Sequence, residues 1–161
     1  MVVEKVDTLV VGAGQAGIAA SEHLTNHGIQ HVVVERDRIA EKWRSARWDS
    51  LVSNGPAWHD RFPSRNFDDP NHDAFISKED VASYFIDYVE QIKAPVRCGI
   101  NVEHVTRIPG GAGFHVTTSA GNFEARHIIA ATGAFQDPVI PPLIPKYAPI
   151  HQMHSNEYRN P

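Results

Sequence analysis

Two hydrophobic periods alternate along the first third of the chain. Val6 to Val11 is a short, mostly apolar run and predicts a buried strand. From Gln15 to His27, Ile18, Ala19 and Leu24 recur at helical spacing, and Gly28 supplies a left-handed stop. "QHVVVE" then sets three β-branched residues in a row, as in a parallel strand covered on both faces. Together these predict a β-α-β unit.

From Arg36 to Phe75 no period holds. The stretch is polar, carries Trp43, Trp48, Trp58, Pro56, Pro63 and Pro70, and reads as one long excursion of the functional kind. Ser77 opens a second helix: "SKED" offers an N-cap serine and early acids ahead of Val81, Phe85, Ile86 and Val89, and the helix ends before Pro95. "GINVEHVTRI", "FHVTT" and "FEARHIIAATG", parted by "PGGAG" and "SAGN", predict three antiparallel strands in a meander. Five prolines between Gln136 and Pro149 predict an extended connector. The expected class is α/β, a Rossmann-like parallel sheet with helices plus a three-stranded antiparallel β-meander, as one domain over residues 1–161.

Composition narrows the function. A chain of 161 residues can bury a real core. A net charge of -4 without a long basic run disfavours nucleic acid and anionic membrane surfaces, leaving small molecules as the expected partners. Cys98 is the single cysteine, which excludes an internal disulfide and fits a reducing, cytoplasmic location. "MVVEKVDTLVVG" is broken by Glu4, Lys5 and Asp7 and lacks the plan of a signal peptide, and no apolar run approaches the ~20 residues of a membrane span.

The candidate chemistry lies in "GAGQAG". Between a strand and a helix, Gly12, Gly14 and Gly17, with Gln15 and Ala16 between them, form a G-x-G-x-x-G dinucleotide fingerprint. Gly12 would allow the tight turn, Gly14 the approach of a pyrophosphate, and Gly17 the close packing of helix on strand. The helix N-terminus offers unpaired N–H groups to phosphate. Glu35, 18 residues beyond Gly17 at the end of the second strand, can accept hydrogen bonds from ribose hydroxyls. Residues 36 to 47 hold five basic and two acidic side chains, a local +3 suited to a pyrophosphate. The fingerprint does not by itself separate FAD from NAD. The long excursion and meander that follow do, because an ordinary NAD domain continues with further β-α units.

With "ER" and "KWR", "WDSLVSNGPAWHDRFP", "IIAATGAFQDPVIP" and "HSNEYRNP", the whole chain resembles the N-terminal FAD-binding part of the flavin-containing monooxygenases and the similar Baeyer-Villiger enzymes. The resemblance implies that Glu35 binds the adenosine ribose with Arg36 beside it, and that the backbone at Val102 meets the adenine. It places Lys42, Trp43 and Arg44 along the FAD, Asn54 near the flavin N5 in the catalytic position, and Thr132 and Gly133 at a second FAD contact. It further implies NADPH as co-substrate, O2 as oxidant, and oxygenation of a small organic substrate at nitrogen, sulfur or a carbonyl. The alternatives are a cofactor-binding fragment without turnover and an FAD-dependent reductase.

Two departures qualify the resemblance. The family signature F-x-G-x-x-x-H-x-x-x-Y is met by His154 and Tyr158, but Ala148 and Ile150 occupy its Phe and Gly positions. The family's second glycine fingerprint, for NADPH, would begin beyond Pro161, so the chain is expected to be partial.

The remaining candidates have plainer readings. His23 with His27 and His151 with His154 lack a third ligand nearby, so no metal is expected. Tyr84, Phe85 and Tyr88 read as a packing face. Trp58 and His59 fit either the border of the isoalloxazine or an aromatic plug. Cys98 reads as a small buried hydrophobe.

Overall fold

The computed structural model describes residues 3–67, 71–134, 136–145 and 147–161. Met1, Val2, Pro70, Phe135 and Lys146, which fall in segments discussed above, lie outside them. The chain runs β1 (Val3–Val11), α1 (Gln15–Asn26), β2 (His31–Glu35), α2 (Glu41–Ser45), β3 (Val52–Pro56), β4 (Phe75–Ser77), α3 (Lys78–Gln91), β5 (Val96–Cys98), β6 (Val102–Arg107), β7 (Phe114–Thr118) and β8 (Gly121–Ala130).

Six strands make one mixed sheet in the order β5-β2-β1-β8-β7-β6. The first four are mutually parallel and the last three form the expected antiparallel meander. β8 belongs to both halves. Its first five residues pair with β7, while its length from Asn122 to Ala130 runs beside β1, with Val11 opposite Ala130. From β1 the chain moves through α1 to β2 and through α3 to β5 on one side, then returns to β8 on the other. The carboxyl ends of β1 and β8 are therefore the point at which strand order reverses, where an open α/β sheet has its crevice.

The β-α-β unit forms as the pattern predicts. Leu9, Val10, Val33 and Val34 are buried, and alternate residues serve opposite faces: Val10 and Val33 join Ile18, Phe85 and Tyr88, whereas Leu9, Val32 and Val34 join Val116 and Phe123. α1 ends where Gly28 adopts φ +67°, with the Ile29 N–H bonded to the Leu24 carbonyl at 2.9 Å. Ser77 caps α3 by accepting from the Asp80 N–H at 3.1 Å.

Three expectations change. The stretch from Arg36 to Phe75 is not featureless, since it holds α2 and pairs β3 with β4. β5 has three residues, too few to show a period, and forms because β2 needs a parallel partner on its open edge. Cys98 is exposed rather than buried, because it ends that short edge strand.

An aromatic cluster fastens the excursion to α3. Phe62, 3% exposed, stacks on Tyr88 at 4.1 Å and on Tyr84 at 5.2 Å, and meets Phe85 edge-on at 5.0 Å. The Phe62 N–H donates to the Tyr84 hydroxyl at 2.9 Å, and the buried Tyr88 hydroxyl donates to Glu22 of α1. Burial, then the Glu22 carboxylate, pushes the Tyr88 phenol well above its ordinary range, so it remains a donor. The packing role expected for Tyr84, Phe85 and Tyr88 is thus what the structure gives them.

Candidate functional site

A cleft of about 1420 Å³ opens at the carboxyl ends of β1, β2 and β8. Each glycine of the fingerprint meets a different constraint there. Gly12 has φ +103°, and a Cβ on it would stand 2.5 Å from the Ala131 carbonyl oxygen, so the turn after β1 and the loop after β8 touch backbone to backbone. A Cβ on Gly17 would stand 1.9 Å from the Gly12 oxygen, so the first turn of α1 rests directly on the preceding loop. Gly14 has nothing within 4 Å of its Cβ position and lines the cleft.

That open face fits a phosphate. Gly14 is also the N-cap of a 12-residue helix, so no side chain caps the first N–H groups of α1, and Gly14, Gln15 and Ala16 at that helix end line the cleft. A pyrophosphate seated over Gly14 would satisfy donors that the protein leaves to it. The residues present therefore fit a dinucleotide.

Glu35 closes the other end. Its Oε2 accepts the Ala13 N–H at 2.8 Å and its Oε1 accepts the Asp37 N–H at 3.0 Å, which fixes the carboxylate between the glycine turn and the loop after β2. Each oxygen keeps acceptor capacity for a hydroxyl.

The cleft gathers most of the predicted residues: Gly12, Gly14, Gln15, Ala16, Glu35, Arg36, Lys42, Trp43, Val102, Thr132 and Gly133 all line it. Gly17 supports the turn from beneath. Arg44 is exposed on α2 and Asn54 is exposed on β3, and neither is among the lining residues. Asn54 alternates with Ser53, whose buried hydroxyl accepts from the Ile76 N–H at 2.9 Å and donates to the Gly55 carbonyl at 2.7 Å. Trp58 is 52% exposed and lies edge-on to His59 and stacked on His72 at 6.4 Å.

The positive charge from 36 to 47 is partly spent internally. Arg38 forms a two-toothed pair with Glu41, at 2.6 and 3.1 Å, which holds the Glu41 carboxyl below its usual range, and Arg36 stands 3.4 Å from Asp37. Lys42 has no ion pair among the described residues. With Arg47, which also lines the cleft and has no ion pair among the described residues, it is a cation left for an anion there.

Sequence reasoning passed over several lining residues. Gln136 donates to the carbonyls of Thr132 and Gly133, bracing the loop after β8. Asn101, His154 and Asn156 also line the cleft. Of these, only His154 had a signal in the sequence, through its place in the H-x-x-x-Y pattern. Among the described residues no group of three metal-ligating side chains converges, and no helix is long and apolar enough to cross a membrane.

The chain is similar to known proteins along most of its length. A family model described as pyridine nucleotide-disulphide oxidoreductase matches residues 9–161. A CzcO-like oxidoreductase of Geobacillus kaustophilus is 36% identical over 97% of this chain and 44% of its own length. A probable indole-3-pyruvate monooxygenase of Arabidopsis thaliana is 28% identical over 94% of this chain and 37% of its own. Among solved structures, the flavin-containing monooxygenase from Stenotrophomonas maltophilia superposes with a TM-score of 0.77 and 26% identity, covering 86% of this chain and 41% of that one. The chain thus spans less than half the length of the curated relatives named here. It belongs to the pyridine nucleotide-disulphide oxidoreductase family, with the Rossmann-like FAD-binding fold of its flavin monooxygenase neighbours.

Proposed function

We propose that the chain is the FAD-binding part of a flavoprotein monooxygenase that uses NADPH and O2 to oxygenate a small organic substrate at nitrogen, sulfur or a carbonyl. The observation that carries the cofactor reading is the open Gly14 face at the uncapped N-terminus of α1, in one cleft with the Glu35 carboxylate. The monooxygenase reading is supported by the Arabidopsis relative and the Stenotrophomonas structure.

In this reading the α1 N–H groups and Lys42 hold the pyrophosphate, and Glu35 accepts from the adenosine ribose. Arg36 stands beside Glu35 at the ribose, and the Val102 backbone meets the adenine. Trp43 covers the cofactor from α2, while Thr132 and Gly133, braced by Gln136, hold it from the far side of the Gly12 turn. FAD, when bound, supplies the electron and oxygen chemistry, and the protein supplies placement and exclusion of water. By the resemblance, Asn54, exposed on β3 and outside the cleft lining, would offer the flavin an amide able to donate and accept a hydrogen bond, from a strand fixed by the Ser53 hydroxyl. A dithiol reductase finds less support, because Cys98 has no second thiol on this chain with which to exchange.

Mass spectrometry of flavin released from the purified chain tests the cofactor. FAD is expected. FMN, or no flavin after saturation with FAD, would overturn the reading, because FMN lacks the pyrophosphate and adenosine that Gly14 and Glu35 address.

A further inference from the structure

The last residues of the chain return to the cleft and fasten onto α2. The Arg159 guanidinium donates to four carbonyls: Ser45 at 2.8 Å, Asn156 at 2.9 Å, Tyr158 at 3.1 Å and Arg47 at 3.3 Å. Ser45 is the last residue of α2 and Arg47 lies just past it, so two of these are carbonyls of the kind that a helix end leaves unpaired. The planar fork of an arginine can serve both sides at once. A second fastening runs in reverse, for the Asp49 N–H donates to the Arg159 carbonyl at 2.8 Å and the Asn160 amide donates to Asp49 Oδ2 at 2.6 Å. Asp49 Oδ1 in turn stands 3.7 Å from the buried Lys78 ammonium at the start of α3.

Both fastened elements face the cleft. α2 presents Lys42 and Trp43, and the returning segment presents His154 and Asn156. The His154 Nδ1 meets the Asn156 side-chain oxygen at 2.9 Å and the Asn156 backbone N–H at 3.2 Å, and its Nε2 has no partner among the described residues. The geometry points to residues 154–160 as a strap over the bound dinucleotide, with His154 and Asn156 as further contact residues and Arg159 as the positioning residue that locks the strap to α2. This inference rests on the cofactor reading above. Binding and locking are then coupled in both directions: whatever the lock adds to FAD affinity, FAD returns as stability of the lock.

Backbone hydrogen exchange, with and without saturating FAD, reads the strap directly. FAD is expected to slow exchange at Asp49, Asn156 and Glu157, whose amides the strap occupies, as well as in the glycine loop. Arg159→Ala should weaken FAD binding about three- to tenfold, the scale of losing hydrogen bonds from a charged donor at an exposed site. In that variant FAD should still slow the glycine loop while leaving the strap amides unprotected. Should Arg159→Ala melt below the assay temperature, Arg159→Lys, which keeps the charge without the fork, takes its place with the same expectation. Slowing of the glycine loop with no change at the strap in the unmodified chain overturns the strap and leaves the cofactor reading standing. An unchanged FAD affinity in the variant does the same. Failure of the unmodified chain to bind FAD overturns both.

Discussion

Glu35 Oε2 accepts the Ala13 N–H at 2.8 Å, so the acid at the end of β2 and the glycine turn after β1 form one hydrogen-bonded unit. The same carboxylate takes the Asp37 N–H on its other oxygen at 3.0 Å. Two backbone donors, one to each oxygen, set its orientation in advance of any ligand, which reduces the ordering that a ribose would otherwise have to impose.

Glu35→Gln tests this double role. An amide has one acceptor oxygen where the carboxylate has two, so either the Ala13 or the Asp37 N–H meets an NH2 group. FAD affinity should fall by about 1 to 3 kcal/mol, the range for losing a charged hydrogen bond. Flavin titration beside a thermal melt measures it, and an unchanged dissociation constant would move the ribose contact elsewhere.

The three fingerprint glycines should separate into fold and ligand classes. Gly14→Ala adds a methyl to open space, so the melting temperature should hold while FAD binding weakens at least about tenfold through the blocked phosphate approach. Gly12→Ala combines a strained φ with a 2.5 Å approach to Ala131 and should cost about 2 to 5 kcal/mol of stability. Gly17→Ala should also destabilise, because the helix must move off the Gly12 carbonyl. Equal losses of stability in all three would contradict the open face at Gly14.

Phe62 is the anchor of the excursion. Truncating a buried phenylalanine costs about 3 to 5 kcal/mol, and here it removes ring contacts to Tyr84, Phe85 and Tyr88 together. Urea unfolding of Phe62→Ala should show a loss in that range. A loss below about 1 kcal/mol would mean that the excursion docks by other means.

Much of this was legible in the sequence, for reasons that differ by element. β1, α1 and β2 announce themselves because both faces of the central strands are buried and Gly28 marks the helix end. The meander is legible because its strands are parted by glycine turns. β5 was not legible, since three residues carry no period. The pairing of β8 with β1 was missed because the apolar run "HIIAA" identifies a strand but not its neighbour. Cys98 misled for a related reason: cysteine is usually buried, and only the edge position of β5 exposes it. In the site, a glycine spacing and an acid suffice to place Gly12, Gly14 and Glu35. The bracing by Gln136 and the reach of Arg159 to α2, which join distant or irregular segments, leave no local pattern to read.

Cys98 carries a pH prediction. Partial burial pushes its thiol above the ordinary value, the Ile39 backbone hydrogen bond opposes this, and the nearby Glu35 carboxylate adds to it. The folded chain therefore holds the proton more tightly than the unfolded one, and this contribution to stability is lost as pH rises through the thiol range. Alkylation by iodoacetamide should show its pH midpoint above the ~8.5 of a free cysteine. A midpoint at or below that value would require a cation beside the sulfur.

The final prediction concerns NADPH. Hydride transfer needs the nicotinamide carbon held about 3 to 3.5 Å from its acceptor in an aligned geometry, and that placement accounts for a large part of the barrier. The chain has one G-x-G-x-x-G, and its Gly14 and Glu35 are assigned here to FAD. FAD-loaded chain should therefore be bleached by NADPH no faster than free flavin is. Dithionite, a small donor that needs no binding site, should still reduce it fully. Stopped-flow absorbance in the oxidised flavin band, first with NADPH and then with dithionite, separates the two. Rapid bleaching that saturates with NADPH would show that residues 1–161 form a nicotinamide site, and Asn54→Ala would be the first variant to ask whether β3 forms part of it.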